Sequence, residues 1–304
     1  MKSKIFAGLA LALSLLAPAF SADAAFEAGA LRVEQISHEG PPLIFIPGLA
    51  SGPWTWTQTA TRLEGKYSIY LLTLPGFDGR TPVPGATLDS LSRDLATLIR
   101  TRKIDKPVLV GHSLGGTLSL AFAAAHSDLI AGVVAVDGLP VFPGTEMMTG
   151  DRSGLAAQAR AQIAGQTAAQ FADYQRNYMK RVGSIDETIA NSLAVHSSQS
   201  DIGATAEFAA QLLMLDLRPQ LPAIKVPVVE ISPFHAPDFA AINVDEARKT
   251  GYYRALLAGV EHLEVVSISP ARHFVMFDQP EKFAAALDRA LDSMVKACAA
   301  DETC

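Results

Sequence analysis

Residues 108–126, VLVGHSLGGTLSLAFAAAH, run a short apolar stretch straight into a helical pattern through a turn in which glycines flank a single serine. Gly111, Gly115 and Gly116 remove side chains where a strand must turn sharply and the helix after it must pack close. A strand that enters a helix this way belongs to a mostly parallel sheet covered by helices, and the rest of the chain keeps that rhythm. Strands are expected at 31–37, 43–46, 67–74, 108–111, 132–136, 226–232 and 263–268. Several are almost wholly apolar, as strands buried on both faces must be. Helical patterns fall near 54–64, 88–101, 114–126, 242–258 and 280–297. Thr87 and Asp89 offer caps for the second, and Pro280 opens the last. The rhythm breaks once. Between about Gly138 and Leu221 no good strand occurs, a length too great for an ordinary connection. A core of 25–137 and 222–304 with a helical cap inserted at 138–221 is expected.

Both ends of the chain carry separate signals. MKSK, the apolar run IFAGLALALSLLAPAF and the small residues SADAA have the three parts of a secretory signal peptide, with cleavage expected after Ala24. The apolar run is shorter than a membrane span and Pro18 interrupts it, so no stable anchor is expected after cleavage. This places the mature protein in the periplasm or outside the cell. There, Cys298 and Cys304 can close a small disulfide loop at the C-terminus or remain two free thiols. The 304 residues can bury a large core. A formal net charge of −6, with no basic cluster beyond Arg100–Lys103, argues against nucleic acid as a partner. Neither an HExxH pattern nor a Cys/His cluster of ligand spacing occurs, so no metal or other cofactor is expected.

Gly111-His112-Ser113-Leu114-Gly115 fits G-x-S-x-G in the strand–turn–helix context that the pattern requires. Such a turn holds the Ser113 hydroxyl at the tip of the sheet and aims the Leu114 N–H at developing negative charge. A serine needs a general base. His273, in SISPARHFVMFDQPEKF, follows the last strand and precedes the last helix, at the same sheet edge. His112 should point away from the serine, and His126 lies at a helix end. A second oxyanion donor is expected from Leu49, in IPGLASGPWTW, where Gly48 turns the chain. Trp54 and Trp56 read as packing.

With these segments in hand, the chain resembles the α/β-hydrolase superfamily. The resemblance runs from LIFIPGLASGPW through TLPGFDGR, VLVGHSLGG and DLRPQLPAIKVPVV to ARHFVMFDQPEKF. It implies an eight-stranded, mostly parallel sheet, a helical cap after the sixth strand, and a Ser–acid–His triad in that chain order. Carried over by position, Ser113 is the nucleophile, His273 the base, and Leu49 and Leu114 the oxyanion donors. The acid usually follows the strand after the cap, where EISPFHAPDF puts Asp238 late. The other place is the end of the strand after the nucleophile helix, where VVAVDGLP offers Asp137. Asp137 is preferred and Asp238 is the alternative. The expectation is an exported serine hydrolase cleaving an ester or related acyl bond of a small molecule, without a cofactor. A proline-iminopeptidase-like peptidase or a lactonase is the alternative on the same fold, and a non-catalytic binding protein the alternative of another class. A peptidase would need an acidic clamp in the cap, for which Glu146, Asp151, Asp173, Asp186 and Glu187 are the candidates. Met147, Met148, Phe171 and Met214 are read as cap core or pocket lining, with core preferred.

Overall fold

The structure, a computed structural model, describes residues 24–148 and 150–300. Its strands are β1 (Phe26–Ala28), β2 (Leu31–Ser37), β3 (Pro42–Ile46), β4 (Ser68–Thr73), β5 (Val108–His112), β6 (Gly132–Val136), β7 (Val228–Pro233) and β8 (Leu263–Ile268). They form one eight-stranded sheet in the order β1-β2-β4-β3-β5-β6-β7-β8. β2 pairs antiparallel with β1 and β4, and every later neighbour is parallel. The helices are α1 (Thr57–Leu63), α2 (Leu88–Arg102), α3 (Leu114–His126), α4 (Ser153–Ala164), α5 (Ala168–Tyr178), α6 (Glu187–Ser197), α7 (Ile202–Met214), α8 (Ala236–Phe239), α9 (Glu246–Leu256), α10 (Val275–Asp278) and α11 (Pro280–Ala300). Residues 1–23, which hold most of the expected signal peptide, and Cys304 lie outside the described residues; Cys298 sits near the end of α11. Among the described residues no helix is long and apolar enough to cross a membrane.

Strand alternation divides the core into two layers. Ile44, Ile46 and Leu109 face one side, against Leu91 and Leu95 of α2, Leu118 and Phe122 of α3, and Leu256 of α9. Leu43, Phe45, Val108 and Val110 face the other, against Leu63 of α1 and Phe283, Leu287 and Leu291 of α11. Covering both faces is why β4, β5 and β6 are buried at every position. Leu287 is fully buried, so its truncation to alanine should cost roughly 2–5 kcal/mol. Thr87 closes a capping box with Ser90 at the start of α2.

Between β6 and β7 the chain leaves the sheet for α4 to α7, with a π-helical turn at Met179–Gly183 between α5 and α6. The outgoing and returning legs pair where they leave the core, through a bridge between Val141 and Asp216 and a bond from Leu217 N–H to Pro140 O of 2.8 Å. α4 packs on α7 through Ala156, Ala210 and Leu213. Phe171 of α5 is buried with Ile163 and Ala206. The methionines correct the sequence reading: Met147, Met148 and Met214 are 84%, 42% and 48% exposed, so they belong to the surface of this segment and not to its core.

Candidate active site

Ser113 joins β5 to α3 with φ 53° and ψ −119°, a backbone region that side-chain-bearing residues rarely enter. The strain is held from both sides. Ser113 N–H donates to Val136 O at 2.8 Å, and Ser113 O accepts from Thr117 N–H at 3.0 Å. The flanking glycines are required by close approach: a Cβ on Gly111 would lie 2.2 Å from Gly115 O, and one on Gly115 would lie 2.3 Å from Ile46 O. The turn after β3 is also close, though less tight: a Cβ on Gly48 would stand 2.9 Å from His112 Nδ1 and 3.2 Å from the Ser113 Cβ. Ser51 fixes this turn by bonding both Gly48 O and Leu49 O at 3.2 Å. Leu114 is the first residue of α3, so its N–H has no acceptor within the helix.

His273 lies between β8 and α10, and the π-turn holds its backbone. His273 N–H donates to Val182 O at 3.0 Å and Phe274 N–H to Gly183 O at 2.9 Å. The His273 Nδ1 donates to Asp137 Oδ2 at 2.5 Å. That bond leaves Nε2 as the nitrogen free to exchange a proton. Asp137 follows β6 at φ 50°, anchored by its N–H on Ile231 O at 3.0 Å. Asp238 is differently engaged. Its two oxygens take the Arg272 guanidinium at 2.7 and 2.8 Å, and one of them also lies 3.2 Å from His235 Nδ1. The carboxylate that reaches His273 is therefore that of Asp137.

Ser113, Leu49, His112 and His273 line a common cavity of about 250 Å³. Its walls are Phe142, Ile163, Tyr178, Leu212, Leu213 and their neighbours, without a single Lys, Arg, Asp or Glu among the described residues. None of the five acidic candidates named above lines it, nor do Asp201, Glu207 and Asp216, the other acidic residues of the inserted segment. Asp151 bonds Ser153, Asp173 pairs with Arg176, Glu187 with Lys180, and Asp186 caps α6, while Glu146 interacts with Tyr252. Trp56 is fully buried, and Trp54 stacks on His196 and Phe274.

Residues 43–286 match the alpha/beta hydrolase family. The chain belongs to that family. Among curated relatives, it is 29% identical over 107 residues to a pimeloyl-[acyl-carrier protein] methyl ester esterase of Vibrio atlanticus, a match covering 35% of this chain and 40% of that protein. It is 32% identical over 102 residues to a 2-(acetamidomethylene)succinate hydrolase of Mesorhizobium japonicum, covering 33% and 37% of the two chains. These matches span less than half the length of either relative. In fold it is similar to a thermophilic esterase from Thermogutta terrifontis, with a TM-score of 0.69 at 20% identity over 86% of this chain and 94% of that one.

As an alpha/beta hydrolase, this chain places around the site four groups that the sequence did not reveal. His112 is fully buried, and its Nε2 donates to His273 O at 3.0 Å. Burial, then the neighbouring His273, holds its imidazole well below the ordinary histidine range, so it stays neutral. Behind Asp137 stand Tyr253 and Lys249 of α9 and Glu230 of β7. The Tyr253 hydroxyl donates to Asp137 Oδ1, and Gly138 N–H donates to Glu230 Oε1 at 3.2 Å. Burial works against the Asp137 charge, but His273, Lys249 and Tyr253 outweigh it and hold the carboxyl below its usual range. Burial, then the Asp137 charge, pushes the Glu230 carboxyl well up, which favours its neutral form. Adjacency in sequence was the sole hint of His112; the other three are brought in by topology from distant parts of the chain.

Proposed function

We propose that this chain is an exported serine hydrolase that cleaves small, uncharged carboxylic esters with an apolar acyl group. The observation that carries the reading is the 2.5 Å bond from His273 to Asp137 at the wall of the cavity into which Ser113 opens. In the proposed reaction, His273 Nε2 takes the Ser113 proton as Oγ attacks the ester carbonyl. Asp137 fixes the imidazole and stabilises the imidazolium. The N–H groups of Leu49 and Leu114 receive the oxyanion. Collapse of the tetrahedral adduct breaks the C–O bond, and His273 returns the proton to the departing alkoxide. Water, deprotonated by the same histidine, then attacks the acyl-enzyme and releases the acid and the free serine.

The cavity supports the substrate class. An ionised substrate entering a wall without charged side chains would lose its hydration and gain no partner. The missing acidic clamp disfavours an aminopeptidase. At about 250 Å³ the cavity is smaller than a drug-sized pocket of roughly 300–1,000 Å³, so short acyl chains should be preferred. A panel of p-nitrophenyl esters from acetyl to palmitoyl, run beside aminoacyl anilides, tests this. Short-chain esters should turn over fastest, and the anilides should be inert. Preferential cleavage of the anilides would overturn the substrate assignment. Export rests on the N-terminal pattern of charge, apolar run and small residues. The mass of protein recovered from the periplasm or medium should lack the first 24 residues; an intact N-terminus would contradict it.

A further inference from the structure

The Asp137 carboxylate uses only Oδ2 to hold His273, and one bond leaves a carboxylate free to rotate about its Cβ–Cγ axis. We infer that Tyr253 is a positioning residue for Asp137, assisted by Lys249 one helical turn earlier on α9, so that the Ser113–His273–Asp137 relay has a fourth member. The inference rests on the serine-hydrolase reading above. Its basis is geometric. Residues four apart on a helix share a face, and on α9 that face points two donors at the end of β6. The Tyr253 hydroxyl bonds Oδ1, the oxygen that His273 does not use. Lys249 is drawn inward rather than left to solvent: its Nζ donates to Pro233 O and lies 5.2 and 5.1 Å from the Phe239 and Tyr253 rings. A cation held between a backbone carbonyl and two aromatic faces is fixed at its post, and its charge favours the Asp137 carboxylate.

The other titratable groups around Asp137 do not duplicate this work. His112 of β5 is neutral and bonded to the His273 backbone. Burial, then the Asp137 charge, holds the Tyr178 phenol of α5 protonated. Glu230 of β7 is pushed toward its neutral form by burial and then by Asp137, and it is bonded to Gly138. Asp238 of α8 faces Lys249 but is committed to Arg272. Burial likewise keeps Tyr253 protonated, hence a donor at any working pH.

The sign of the effect follows. Removing the hydroxyl or the ammonium leaves Asp137 a stronger base, which favours the His273 imidazolium and moves the acid limb of activity to higher pH. The test compares wild type, Tyr253→Phe, Lys249→Met and Asp137→Asn in pH profiles of kcat and KM, with the His273 Nδ1–H proton resonance recorded by NMR. Tyr253→Phe should lose about tenfold in kcat at unchanged KM, the scale of a hydrogen bond to a charged group. Its acid limb should rise by on the order of half a pH unit, with the proton resonance displaced downfield. Lys249→Met, which leaves the Tyr253 ring in place, should move limb and resonance in the same direction and decides the matter if Tyr253→Phe does not fold. If Asp137→Asn is crippled while both variants keep the wild-type limb and resonance, Tyr253 merely fills the core and the inference falls alone. A wild-type protein without esterase activity would instead remove the reading beneath it.

Discussion

Asp137 and Asp238 differ in what their carboxylates hold, and the difference predicts opposite outcomes for the same substitution. Asparagine at 137 keeps the shape, but its amide can face His273 with the wrong hydrogen-bonding pattern and cannot balance an imidazolium. The loss in kcat should approach about 10⁴-fold, the scale of the same change at the aspartate behind the histidine of a serine-protease triad. Asparagine at 238 breaks a paired Arg272 contact on the short, partly exposed helix α8 and should cost far less than tenfold in kcat by the modest scale of such pairs. Steady-state kinetics of the two variants check this, and a crippled Asp238→Asn beside an active Asp137→Asn would reverse the assignment. Ser113, His273 and their elbow were legible in the sequence because strand, glycine and helix patterns are local. The choice between the aspartates was only half legible, since Arg272 and His235 claim Asp238 through contacts that exist only after folding. Tyr253 and Lys249 were not legible at all. A tyrosine and a lysine four apart on a short helix look like an ordinary half-buried face until α9 is laid beside β6 and β7.

Seven of the eight strands were readable as apolar or alternating runs, and their register follows from which residues must face α2, α3 and α9 or α1 and α11. β1 was not, because Phe26–Ala28 is three residues long, too short to carry a period, and is defined by its antiparallel pairing with β2. β7 begins two residues later than the sequence suggests and runs on through Pro233, which pairs with Ile268 of β8. The same strand carries a thermodynamic consequence. Glu230 is fully buried in β7 with its carboxyl pushed well up by burial and by Asp137. Its folded form therefore keeps a proton that the unfolded chain releases above about pH 4.3. The stability associated with protonated Glu230 is complete below that pH and is lost as pH rises toward the folded value. Glu230→Gln keeps an acceptor for Gly138 and cannot ionise. Denaturant melts at a series of pH values should show it gaining on wild type by about 1.4 kcal/mol per pH unit through that window; a difference that does not vary with pH would mean that Glu230 is ionised in the fold. At the elbow, Gly115→Ala forces a methyl group to 2.3 Å from Ile46 O. A loss of about 3 kcal/mol or more is expected by the same melts, whereas an unchanged midpoint would show that β3 and α3 can part.

At the scale of the molecule, the sheet brings β5, β6 and the loop after β8 to one edge, and the segment from α4 to α7 lays an uncharged wall beside it. The break in the strand pattern marked the long strand-free stretch between β6 and β7, but not which of its residues line the cavity. Helical periodicity cannot separate a face that meets other helices from one that meets a substrate, so the exposed methionines and the lining residues Phe142 and Tyr178 carried the same signal. What the whole arrangement requires is one serine that is nucleophilic because of its surroundings. The most direct measurement is reaction of the intact protein with a fluorophosphonate, read by mass spectrometry of the whole chain and of its peptides. The account predicts a single covalent adduct, carried on the peptide containing Ser113 and absent from Ser113→Ala protein of unchanged melting behaviour. No adduct on the folded wild-type protein, or one on a different serine, would contradict it.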